Sequence, residues 1–169
     1  MQISTSSMTS YLTLFLRLAL AASYLSSVTS RFGLWGQEMG WGNYANFLDY
    51  TAKVNPFLPG SAIPAVGRIV DIAEIAIAVL LIVGFRIRET AVLSGVMLFL
   101  FAFGMNLGVG VISTLDHSVY TASAASFLLA VHHRSFLSLD AFISERWPAS
   151  AAEVSAEERV AAFKIEATR

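Results

Sequence analysis

The chain has 169 residues, of which 56% are hydrophobic and 14% charged, against about 25% charged in an average soluble domain. So few charges cannot clothe a water-facing surface, and lipid is expected to cover part of it. A net charge of -1 gives no footprint for nucleic acid, and the absence of cysteine excludes disulfides, thiolate catalysis and cysteine-ligated clusters.

Four apolar stretches follow in chain order. The first, residues 11–28, carries one charge, Arg17. Its LALAAS pattern resembles a signal-peptide cleavage region. However, residues 1–10 hold no Lys or Arg and Arg17 breaks the run, so the stretch reads as a retained span. The second, 63–84, has Pro64 in its first turn and Arg68, Asp71 and Glu74 in its first half, and is wholly apolar after that. The third, 90–114, contains no Asp, Glu, Lys, Arg or His. A bilayer core of ~30 Å needs about 20 helical residues, so this is the clearest spanning segment. The fourth, 118–132, is rich in the Ala and Ser that suit close helix packing.

The connection 29–62 separates the first two stretches. Trp35 and Trp41 have the apolar ring and single N–H favoured at a membrane interface. Tyr44, Phe47 and Leu48 fall at i, i+3 and i+4, Val54 extends that side, and Asn46, Asp49 and Lys53 lie opposite. Thr51 interrupts the apolar face, and Asn55-Pro56 and Pro59-Gly60 end the helix. This pattern predicts a short amphipathic helix on the outer membrane surface. It either caps the bundle or serves as a lid over a lipid-like ligand, with Trp35, Trp41, Tyr44, Phe47 and Leu48 as lid residues.

Lys and Arg placement sets the expected orientation. Arg86 and Arg88 sit in the turn after the second stretch and Arg134 after the fourth, whereas 113–117 has no basic residue other than His117. Both termini are therefore expected in the cytoplasm and the long connection outside. Past Arg134, Phe136, Leu139, Ile143 and Trp147 can lie on the inner interface. Pro148 ends that piece, and Ser155 with Glu158 has capping-box spacing for a short polar helix.

An ionisable side chain in hydrocarbon costs a few kcal/mol and needs a partner or a task. Arg68, Asp71 and Glu74 step by three, so they fan across one broad helix face that must point inward. Depth suggests that Arg17 pairs with Glu74, and i, i+3 spacing that Arg68 pairs with Asp71. Arg31, Asp116 and His117 end near the outer side. These charges either lock helices together or line a polar pocket able to bind a quinone headgroup or relay protons. Gly104-x-x-x-Gly108 allows close packing, Asn106 is expected to bond another helix, and Asp116 to cap the fourth. His132 and His133 point about 100° apart on a helix, so no metal site is expected there.

Three stretches resemble the DoxX family of small four-helix membrane proteins: LRLALAASYLSSVTSRFGLWG, NFLDYTAKVNPFLP and VDIAEIAIAVLLIVGFRIRETA. They frame residues 11–134 and leave the tail outside. The resemblance implies a membrane accessory subunit of a quinone-linked redox system, with a membrane or peripheral redox protein as partner. Since no cysteine can carry thiol chemistry, electrons would come through a bound quinone or that partner.

The expectation is an all-α, multi-pass four-helix bundle of the cell membrane with an extracytoplasmic interfacial helix. Residues 1–134 form the transmembrane domain and 135–169 a cytoplasmic amphipathic and polar tail. The candidate ligand-binding residues are Arg17, Arg31, Arg68, Asp71, Glu74, Asp116 and His117. No intrinsic cofactor is expected beyond a quinone. The alternatives are a small carrier or proton-linked channel, which with four helices calls for a homodimer, and a non-catalytic membrane interaction protein.

Overall fold

The computed structural model describes residues 5–132 and 137–146. These are all-helical: α1 Thr5–Arg31, α2 Tyr44–Val54, a 3-10 turn Gly60–Ala62, α3 Ile63–Val83, α4 Ile87–Gly108, α5 Val111–Asp116, α6 Val119–Val131 and α7 Leu139–Arg146. The expectations placed on His133, Arg134, Phe136, Trp147, Pro148, Ser155 and Glu158 lie outside the described residues.

α1 packs against α3 and α4 against α6, while contacts of α3 with α4 and of α1 with α6 join the pairs. Leu20 and Ala21 of α1, Ile77 and Leu81 of α3, Ala91 of α4 and Leu129 of α6 meet in the core. Around this apolar core, large apolar side chains also cover much of the outer surface, and several polar groups lie inside. Phe15, Ile69, Ile72, Leu93, Leu100 and Phe103 are exposed, while Arg17, Arg31, Glu74, Ser94, Thr114 and Ser126 are buried. An isolated exposed apolar side chain means little, but contiguous exposed apolar faces mark a surface suited to a partner or to lipid. Two helices, α1 from Met8 to Arg31 and α4, are long and apolar enough to cross a membrane.

The helix ends depart from the sequence reading in three places. The apolar stretch 90–114 is not one helix. α4 ends at Gly108, and the Val109 and Gly110 N–H groups both return to the Met105 carbonyl, at 2.8 and 3.0 Å. Gly110 then takes φ +96 and α5 starts afresh. Hydropathy is blind to such a break, because glycine and valine leave the run uncharged. Asp116 ends α5 instead of capping the fourth apolar helix, which starts at Val119 behind Ser118 with φ 54. Finally, part of the tail is tied to the bundle. Asp140 accepts from the Arg86 and Ile87 N–H groups, at 2.7 and 2.9 Å, so it caps α4 from 53 residues beyond Ile87.

Candidate functional site: a buried arginine between two carboxylates

The charged residues gather where α1 ends. Arg31, the last residue of α1, is buried at 3% exposure. Asp71 and Glu74 are one turn apart on the buried face of α3. Arg31 Nη1 bonds Asp71 Oδ1. Nη2 lies 2.7 Å from Glu74 Oε2 and also donates to Ser27 Oγ at 3.1 Å. The Glu74 contact is a charge contact without hydrogen-bond alignment, and Arg31 Nε has no acceptor among the described residues. One guanidinium thus serves two carboxylates, and with both ionised the group carries one negative charge in excess.

An aromatic roof covers the cluster. The Arg31 guanidinium carbon sits 3.8 Å from the Phe47 ring centroid, within cation–π range. Trp41 meets Phe47 edge-on at 5.5 Å, and Tyr44 lies 5.6 Å from the same ring. The Tyr44 hydroxyl donates to Asp71 Oδ2 at 2.9 Å. Burial, and next that hydrogen bond, hold the Tyr44 phenol above its ordinary pKa, so it stays a neutral donor. Trp41 Nε1 reaches Ser27 Oγ at 3.4 Å. Trp35 bonds Thr29 Oγ1 at 2.8 Å, and its ring is exposed beside the roof.

The roof is α2, and the local sequence explains its shape. Asn43 caps it by accepting from the Asn46 N–H at 2.9 Å. The buried Thr51 that interrupts the apolar face satisfies itself on the Phe47 carbonyl at 2.8 Å. Glycines on α3 and α4 let the helix come close. A Cβ on Gly67 would lie 2.7 Å from Leu48 Cδ2, and one on Gly108 would lie 2.3 Å from the Lys53 carbonyl oxygen. Gly104-x-x-x-Gly108 therefore receives the carboxyl end of α2.

Both expected pairings are corrected. Arg17, fully buried, does not reach Glu74. Its Nε donates to the Leu81 carbonyl at 2.9 Å, Nη2 to Ile82 at 3.1 Å and Nη1 to Leu137 at 2.8 Å. It is a cation closing the carboxyl end of α3, where the helix dipole favours it. Arg68 is exposed, and the Asp71 carboxylate is taken by Arg31 and Tyr44 instead. Asp116 and His117 are exposed on and just after α5, which packs with α4 and α6; His117 Nδ1 lies 2.7 Å from the Ser113 carbonyl oxygen. Of the seven candidates, Arg31, Asp71 and Glu74 are brought together. Among the described residues no set of three or more His, Asp or Glu side chains is arranged to hold a metal.

A buried hydroxyl chain was not anticipated. Tyr24 Oη, Ser94 Oγ and Ser126 Oγ join α1, α4 and α6 at 2.9 and 3.0 Å. Ser123 donates to the Gly95 carbonyl at 2.8 Å; Asn106 Nδ2, as expected of it, bonds another helix by donating to the Tyr120 hydroxyl of α6. The serines of the fourth stretch were legible as small residues, but their hydrogen-bond partners lie on other helices.

Comparison of the chain with known protein families, with characterised proteins and with solved structures finds no match in any of the three.

Proposed function

We propose that the chain is a DoxX-like membrane protein that crosses the bilayer four times and serves a quinone-linked redox system as an accessory subunit. The observation that carries this reading is the Arg31–Asp71–Glu74 cluster, buried under the α2 roof in a bundle whose outer faces are apolar. α1, α3, α4 and α6 are the spans, both termini are cytoplasmic, and α2 lies on the outer surface. α3 carries three charges, yet Asp71 and Glu74 turn inward and Ile69, Ile72 and Ile75 outward, which suits a lipid-facing helix. α6, at 13 residues or roughly 20 Å, is short for a span, and its neighbours must thin or cover the bilayer there.

The cluster has the groups a quinone headgroup needs. Arg31 Nε is a buried donor lacking an acceptor among the described residues, which fits a carbonyl oxygen. Asp71, Glu74 and the Tyr44 hydroxyl can hold the protons that accompany reduction. A bound quinone would supply the electron-accepting chemistry, with a partner redox protein as electron source.

Purification in mild detergent followed by quinone extraction tests this. The wild-type chain is expected to retain quinone, and Glu74→Gln to lower retention about tenfold, the loss of one charged partner in the cluster. A chain that carries none and binds no added quinone overturns the redox reading while leaving the membrane reading intact. A second reading, an interaction protein without chemistry, is favoured by the way the three charges satisfy one another. It requires that Arg31→Leu, Asp71→Leu and Glu74→Leu together leave a folded chain that still captures its partner.

A further inference from the structure

We infer that the first turns of α4 hold an anionic phospholipid of the cytoplasmic leaflet, with its phosphate on Arg88 and one acyl chain along Val92, Leu93 and Val96. This rests on the membrane reading above but not on the redox one. A shallow groove of about 390 Å³ is lined by Arg88, Glu89, Val92, Leu93 and Val96. It is open and runs along one face of α4, so it suits a chain lying on the surface and not an enclosed ligand. Arg88, Val92 and Val96 follow at i, i+4 and i+8, so the cation stands at one end of an apolar stripe about 12 Å long. The stripe continues through exposed Phe99, Leu100 and Phe103 toward the other end of the helix.

At the mouth, Arg88 is the cation left for an anion. Arg86 Nη2 lies 3.5 Å from Glu89 Oε1, so the carboxylate in the groove is already paired. Asp140 is committed to the Arg86 and Ile87 backbone N–H groups. Among the described residues no carboxylate lies within ion-pair distance of Arg88, which is exposed at the end of the span. A basic residue where a helix meets the cytoplasmic leaflet recognises anionic headgroups, and the chain lengthwise on α4 supplies the apolar half of the fit.

The test uses the full chain in nanodiscs of mixed phosphatidylcholine and phosphatidylglycerol, with retained lipid read by native mass spectrometry. The wild type is expected to keep one phosphatidylglycerol in preference to phosphatidylcholine. Arg88→Gln should lower that preference roughly fivefold, the worth of one basic residue at an anionic surface. Arg88→Lys should keep it, and Glu89→Gln should raise it. An Arg88→Gln chain with unchanged preference, or a wild type with none, overturns the site. A chain that purifies without detergent overturns the membrane reading first, and is recognised before any lipid is measured.

Discussion

At the residue scale, the direction of a helical side chain decides which charges meet. Every Cα–Cβ bond of a helix tilts toward its amino end. On α1, both arginines therefore reach back along the helix. Arg31 bends onto Asp71 and Glu74, whereas Arg17, some 20 Å earlier along the axis, reaches away from them to the last carbonyls of α3. Depth matching alone paired Arg17 with Glu74 because it ignored that tilt. Arg31→Leu strands two buried carboxylates and is expected to cost about 3–5 kcal/mol, measured by unfolding in detergent. Leucine at all three cluster positions should recover most of that loss, and a triple variant as unstable as the single would show that the charges do more than neutralise each other. Arg17→Met acts at the opposite end of α3 and is expected to cost about 1–3 kcal/mol by leaving carbonyls unsatisfied, with the cluster unchanged.

At the element scale, glycines and caps set the positions of the helices. Gly84 ends α3 with φ +71, returning its N–H to the Leu80 carbonyl at 2.8 Å, and a Cβ there would lie 2.3 Å from Arg17 Nη2. Gly84→Ala is thus expected to lose about 1–2 kcal/mol from backbone strain alone, and more from displacing Arg17. Asp140→Ala removes the cap of α4 and should cost about 0.5–2 kcal/mol in thermal unfolding. Gly108→Val forces the end of α2 off α4, and a change in Trp41 fluorescence without loss of helix would show the roof lifting. An unchanged spectrum would mean that α2 is held by its aromatic contacts alone. The amphipathic face of α2 was legible from the spacing of Tyr44, Phe47 and Leu48. The break after Gly108 was not, since an uncharged run carries no mark of where its backbone turns.

At the scale of the whole molecule, the proposed membrane residence predicts that the chain stays dispersed only in detergent or lipid once extracted. The native chain has no cysteine, so introduced ones can be labelled without background. Asn46→Cys on the exposed side of α2 is expected to react with an impermeant maleimide in intact cells, and Glu89→Cys only after permeabilisation. Equal labelling of both would refute the proposed orientation. The oligomeric state bears on the carrier alternative, because a monomer with the four proposed spans leaves little room for an alternating path.

Composition and the uncharged third stretch were enough to mark helical structure and a helix apolar enough to span a membrane, since the cost of placing backbone in lipid depends on residue type and run length. The spacing of Asp71 and Glu74 also placed both on one inward face of α3, whereas Arg68, expected on the same face, is exposed. Which charge meets which was decided only by the fold. Pairing depends on side-chain direction, on where α1 and α3 stop, and on glycines that admit α2 close enough to place Phe47 and Tyr44 over Arg31. Those are relations between segments tens of residues apart, and no local pattern encodes them.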